Sequence, residues 1–138
     1  EYLKRFHLIS NDFQQIIDDF DFFDDWEDKY RYVIEEGKKM PLLDDSLKVD
    51  SNKVNGCASQ VWLHFSNSDK LYFDGDSDAI IVKGLIALLR KLYNGIPIKD
   101  IKNIDALEYL KKLGLDDHLS AQRSNGLKAM VEKIQSLG

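Results

Sequence analysis

Val61-Trp62-Leu63-His64-Phe65-Ser66-Asn67-Ser68-Asp69-Lys70-Leu71-Tyr72-Phe73-Asp74-Gly75-Asp76-Ser77-Asp78-Ala79-Ile80-Ile81-Val82-Lys83-Gly84-Leu85-Ile86-Ala87-Leu88-Leu89 carries two periodicities in succession. Val61, Leu63 and Phe65 alternate with Trp62 and His64, the period of two that a pleated strand imposes. Asn67-Ser68-Asp69 supplies turn chemistry. Leu71-Tyr72-Phe73 then reads as a second strand, so the two form a hairpin. The period changes after Asp76-Ser77-Asp78, which is expected to cap a helix. From Ala79 to Leu92 apolar residues occur almost all round, which predicts a helix buried against the sheet. Arg90 and Lys91 sit near its end, where the dipole favours cations, and Gly95 and Pro97 stop it.

Helices flank this unit on both sides. Phe13, Ile16, Ile17 and Phe20 recur at helical spacing, with Asn11 or Asp12 as the cap. A second helix runs from about Asp25 to Lys39 or Met40, before Pro41, with Trp26, Tyr30, Val33, Ile34 and Gly37 along one face. Residues 41–52 read as an irregular connection, and Lys53-Val54 as a short strand. A short helix fits Asp105 to Lys112, with Asp105 and Glu108 in capping-box spacing, and Gly114 stops it. A last helix starts near Ser120 and packs through Leu127, Met130, Val131, Ile134 and Leu137. Strands and helices are segregated. The expected class is α+β, a small antiparallel sheet with helices packed on one side, in a single domain spanning residues 1–138.

Composition narrows the function. Hydrophobic residues make up 43% and charged residues 31% of the 138, a globular rather than a disordered balance. The net charge is −5, and no basic run is interleaved with aromatics, so nucleic acid is not an expected partner. The longest apolar stretch, Ala79 to Leu89, is broken by Lys83 and falls short of the ~20 residues of a membrane span. Acids crowd Asp18, Asp19, Asp21, Asp24, Asp25, Glu27 and Asp28, as a solvated face with caps or as a docking face for a basic partner. One cysteine excludes an internal disulfide and fits a reducing compartment.

That cysteine is the main chemical signal. Cys57 lies in Asn55-Gly56-Cys57-Ala58-Ser59-Gln60, a turn at a strand edge where a partner has access. One sulfur cannot cage a metal or hold an iron–sulfur cluster by itself, so any chemistry it has is with something outside the chain. The competing reading is inert packing, the commonest fate of a free cysteine. His118 is the one candidate base for an autonomous cysteine hydrolase. Arg123 stands in the first turn of its helix, against the dipole preference, which points to pairing an acid or facing a thiolate. Gly75 and Gly84 are not spaced as a phosphate loop.

Four motifs follow one another along the chain: Trp26-Glu27-Asp28-Lys29-Tyr30 with Gly37 and Pro41; Gly56-Cys57-x-Ser59-Gln60-Val61-Trp62; Gly75-Asp76-Ser77-Asp78-Ala79-x-Ile81-Val82-Lys83-Gly84-Leu85; and His118-Leu119-Ser120-x-x-Arg123-Ser124-x-Gly126-Leu127. In this order and spacing they resemble the SufE family of sulfur acceptors in iron–sulfur cluster assembly, which includes the CsdE proteins. The likeness covers about residues 24–137. It implies a fold like that of the cluster scaffold IscU, with Cys57 as the acceptor sulfur. It implies a non-enzymatic carrier and activator, partnered by a SufS- or CsdA-like cysteine desulfurase and delivering to the SufBCD scaffold. The pyridoxal phosphate belongs to the desulfurase, and no cofactor is implied for this chain. By motif position Asp78 and Arg123 influence the cysteine loop, the partner contact or the sulfur's surroundings, with Gln60 and His118 in supporting roles. The expected location is cytoplasmic, or an organelle matrix if a targeting segment is removed, and a monomer is the default. The apolar strand and helix beside the turn lead us to expect Cys57 tucked into an apolar pocket at rest.

Overall fold

A computed structural model describes residues 11–115 and 119–138. In chain order the elements are α1 (Asn11–Asp21), α2 (Trp26–Lys38), β1 (Val61–Phe65), β2 (Phe73–Ser77), α3 (Ile80–Tyr93), α4 (Ala106–Lys112) and α5 (Ala121–Gln135). Short 3-10 turns lie at Asp45–Leu47, Asp50–Asn52 and Ile98–Asn103. β1 and β2 form a two-stranded antiparallel sheet with α3 packed on it, which is the α+β class expected. No helix among the described residues is long and apolar enough to cross a membrane.

α3 is the centre of the core. Leu88, Leu89 and Leu92 have no exposed surface, and Val61, Leu63 and Phe73 of the sheet join the same cluster. α2 crosses α3 where two glycines meet. A Cβ on Gly37 would sit 2.7 Å from the Gly84 nitrogen, and one on Gly84 would run into the Val33 carbonyl oxygen. Backbone-to-backbone approach this close excludes any side chain. α5 packs on α3 and α4 through Leu127, Met130 and Ile134.

Asp105 caps its helix as expected, and Asp25 and Ser120, expected only as approximate helix starts, are caps too, each accepting from the backbone N–H three residues on. Lys53-Val54 becomes a bridge to β1 rather than a full strand. Three expectations are corrected. The second strand is Phe73–Ser77, not 71–73, in register from Val61↔Ser77 to Phe65↔Phe73. Leu71 is diverted: it donates to Ile96 O and accepts from Gly95 N, both at 2.7 Å. The inward position between Phe73 and Ser77 is Gly75, whose absent Cβ would meet Ile86 Cγ2 at 2.9 Å, so hydrophobic alternation is blind to this strand. Asp76-Ser77-Asp78 does not cap α3. The N-cap is Ala79, with no side-chain cap bond, because Asp76 pairs with Lys48 and Lys83 and Asp78 turns to Gln60. Asn11 and Asp12 are already helical, so neither is a cap.

Candidate functional site

The cysteine loop springs from a paired base. Val54 N–H donates to Val61 O at 2.9 Å. Gly56 then takes φ +89°, a left-handed conformation that costs a glycine little and other residues more. At the loop's exit Gln60 N–H donates to Asp78 Oδ1 at 3.0 Å, and Asp78 N–H donates back to Gln60 O at 3.3 Å. The loop therefore has a pivot before Cys57 and a clamp after it.

α5 is the floor. The Cys57 thiol donates to Gly126 O at 3.7 Å, a weak bond even for sulfur. A Cβ on Gly56 would lie 3.6 Å from the Ala129 Cβ, so the pivot rests on the same helix face. Further along α5, Lys133 Nζ donates to Lys53 O at 3.0 Å and ties down the approach to the loop.

Cys57 is half-buried beside a cavity of about 350 Å³. Ala79 and Val82 of the α3 start, and Leu127 and Met130 of α5, give it apolar walls, while Ser59, Ser120, Gln122 and Arg123 supply polar ones. Burial pushes the thiol up from its ordinary pKa. A carbonyl acceptor acts in the same direction, because it binds the protonated form. Both influences favour the protonated, less nucleophilic form of the seated sulfur.

Arg123 faces this cavity, but its guanidinium is held by an aromatic ring. It donates to Tyr30 Oη at 2.7 Å and lies 5.9 Å from the centre of that ring. The ion pair expected of it is not formed among the described residues. The negative face of the Tyr30 ring suits this cation–π arrangement without an acid. The structure thus gathers Cys57, Gln60, Asp78 and Arg123 around one loop and cavity. His118 lies outside the described residues, so the Cys57–His118 pairing of a hydrolase is not placed. Among the described residues no group of three or more His, Cys, Asp or Glu side chains is arranged to hold a metal ion.

Sequence reasoning did not single out Tyr30, Gly126 or Lys133 for this site. A glycine in mid-helix is a local anomaly, costing about 1 kcal/mol against alanine, and it was available as a signal. Tyr30 stands in the first quoted motif, but nothing local ties it to Arg123, which lies 93 residues away.

Residues 14–137 match the family model described as SufE, the Fe–S metabolism associated domain. A SufE-like protein of Rhizobium etli is 51% identical over 137 residues, covering 96% of this chain and 91% of its own. One of Rhizobium meliloti is 50% identical over 127 residues, covering 88% and 91%. Among solved structures, the solution structure of a hypothetical protein from Thermus thermophilus superposes with a TM-score of 0.74 at 18% identity, over 94% of both chains. That last likeness speaks to the fold.

Proposed function

The chain belongs to the SufE family, the Fe–S metabolism associated domain, and from that premise we propose that Cys57 accepts a sulfane sulfur from a cysteine desulfurase and carries it toward cluster assembly. The observation that carries this reading is the mounting of the thiol. It sits on a loop with a glycine pivot, half-buried and held by one long S–H···O bond. Such a sulfur is shielded at rest and free to leave with little loss.

The reaction is an exchange at sulfur. Cys57 loses its proton on leaving the cavity, and the thiolate attacks the outer sulfur of the desulfurase persulfide. A new S–S bond forms at Cys57 as the old one breaks, and the desulfurase cysteine departs as thiolate. The count of persulfides is unchanged, and no oxidant or reductant is consumed. The absence of a second cysteine in the chain suits this role, because a neighbouring thiol would attack the persulfide and release sulfide. Clearing the donor's cysteine stimulates the desulfurase, and the loaded chain passes sulfur to the SufBCD scaffold. In this reading Asp78 and Gln60 clamp the loop's exit. Arg123 lies where the partner's sulfur arrives, steadied by Tyr30.

Incubation with a cysteine desulfurase and L-cysteine, followed by intact mass spectrometry, tests the proposal. A gain of about 32 Da, one sulfur atom, is expected on the wild-type chain and none on Cys57→Ser. Equal gain in both, or none in either, overturns it.

A further inference from the structure

Gly126 lies inside α5 and is buried. Its backbone does not call for glycine: the positive-φ glycines described are Gly56, Gly95 and Gly114. A helix interior penalises it. What a side chain at 126 would meet is Cys57 alone among its nearest neighbours, with Sγ at 3.4 Å, Cβ at 3.7 Å and Cα at 3.9 Å.

We infer that Gly126 is the positioning residue that sets how deep the Cys57 thiol lies, its bare backbone being the seat on which the sulfur rests. The inference takes its purpose from the acceptor reading above, since a carrier needs a resting place that both covers the sulfur and lets it go. The distances grade the effect. A methyl at 3.4 Å from Sγ stands at the short edge of ordinary contact, so alanine presses on the sulfur without expelling it. The γ carbons of valine reach further and claim the space of the sulfur itself.

The loop gives way rather than the helix. α5 is capped by Ser120 and anchored by buried Leu127, Met130 and Ile134, whereas the thiol is held by one 3.7 Å bond. Gly56 offers the pivot for outward movement. A displaced thiol loses both its cover and its carbonyl acceptor, and each loss favours the thiolate.

The test is the rate of iodoacetamide alkylation of Cys57 in the purified chain across pH. It compares wild type, Gly126→Ala, Gly126→Val and the neighbouring control Asn125→Val, with a thermal melt of each. The expected order is wild type, then alanine, then valine, the last about tenfold faster near neutral pH, with its profile moved to lower pH. Asn125→Val, equally β-branched but at an exposed position, is expected to match wild type. A folded Gly126→Val that alkylates at the wild-type rate overturns the inference, as does an Asn125→Val that accelerates as much. Should valine unfold the chain, alanine decides by the same criterion. Sulfur loading is measured in parallel. A wild-type chain that takes no sulfur sinks the acceptor reading, while the order of alkylation rates still judges Gly126.

Discussion

At Cys57 Sγ, shielding and reactivity oppose each other. Burial disfavours the thiolate, which shields the sulfur from oxidants and also lowers its reactivity. On the acceptor reading proposed above, reactivity depends on how often the loop leaves its seat, and Asp78 would bear on that population through its paired bonds with Gln60. Asp78→Ala removes the side-chain bond, worth about 1 kcal/mol at most at an exposed position, and is expected to raise the alkylation rate up to about fivefold. The wild-type rate should climb with pH toward a midpoint above that of free cysteine, and the variant's midpoint should lie between the two. An unchanged profile would mean that the clamp does not limit the motion. The roles of these residues were only partly readable in the chain. The thiol's solitude, its glycine neighbour and the motif positions of Asp78 and Arg123 are sequence facts, but a tyrosine holding Arg123 is a fact of packing.

Among the elements, α3 and α5 divide the work. α3 is core on nearly every face, and its deletion mutants should show it. Leu88→Ala is expected to lower stability by about 2–5 kcal/mol in urea melts, the range for emptying a buried leucine site. Cys57→Ser should lower it by less than about 1 kcal/mol, because the thiol is half-exposed and makes one weak bond. Equal losses would place the cysteine in the core and remove it from sulfur transfer. α5 instead serves the loop, since Gly126, Ala129 and Lys133 all meet the cysteine segment or its approach. The helices were legible because apolar residues recur with a period their geometry requires. β2 was not, because after Phe73 its inward-facing positions hold only Gly75 and Ser77 and its outward ones hold Asp74 and Asp76, so it carries no sustained hydrophobic alternation.

Across the whole molecule, charge stitches distant segments together. Asp76 on β2 pairs with Lys48 at 3.1 Å, from the connection before the sheet, and with Lys83 at 3.6 Å on α3. Burial alone would raise its pKa, but the Ser77 N–H and the two lysines outweigh it and hold the carboxyl below its usual range. A depressed carboxylate contributes stability above its unfolded pKa, and that contribution disappears as pH falls through the folded value. Wild-type stability should thus decline below about pH 4, and Asp76→Asn should flatten part of that decline in pH-dependent melts. An Asp76→Asn curve parallel to wild type would assign the acid sensitivity elsewhere. The chain alone determined the class of fold and the buried helix, since each rests on residue type and local spacing, and its four motifs carried the likeness to the family. Tertiary structure alone decided that the sulfur lies on α5, that Asp78 clamps a loop instead of capping a helix, and that Leu71 leaves the hairpin to pair beyond α3. Those outcomes depend on which backbone groups find partners once remote segments are brought together, and no local pattern encodes that choice.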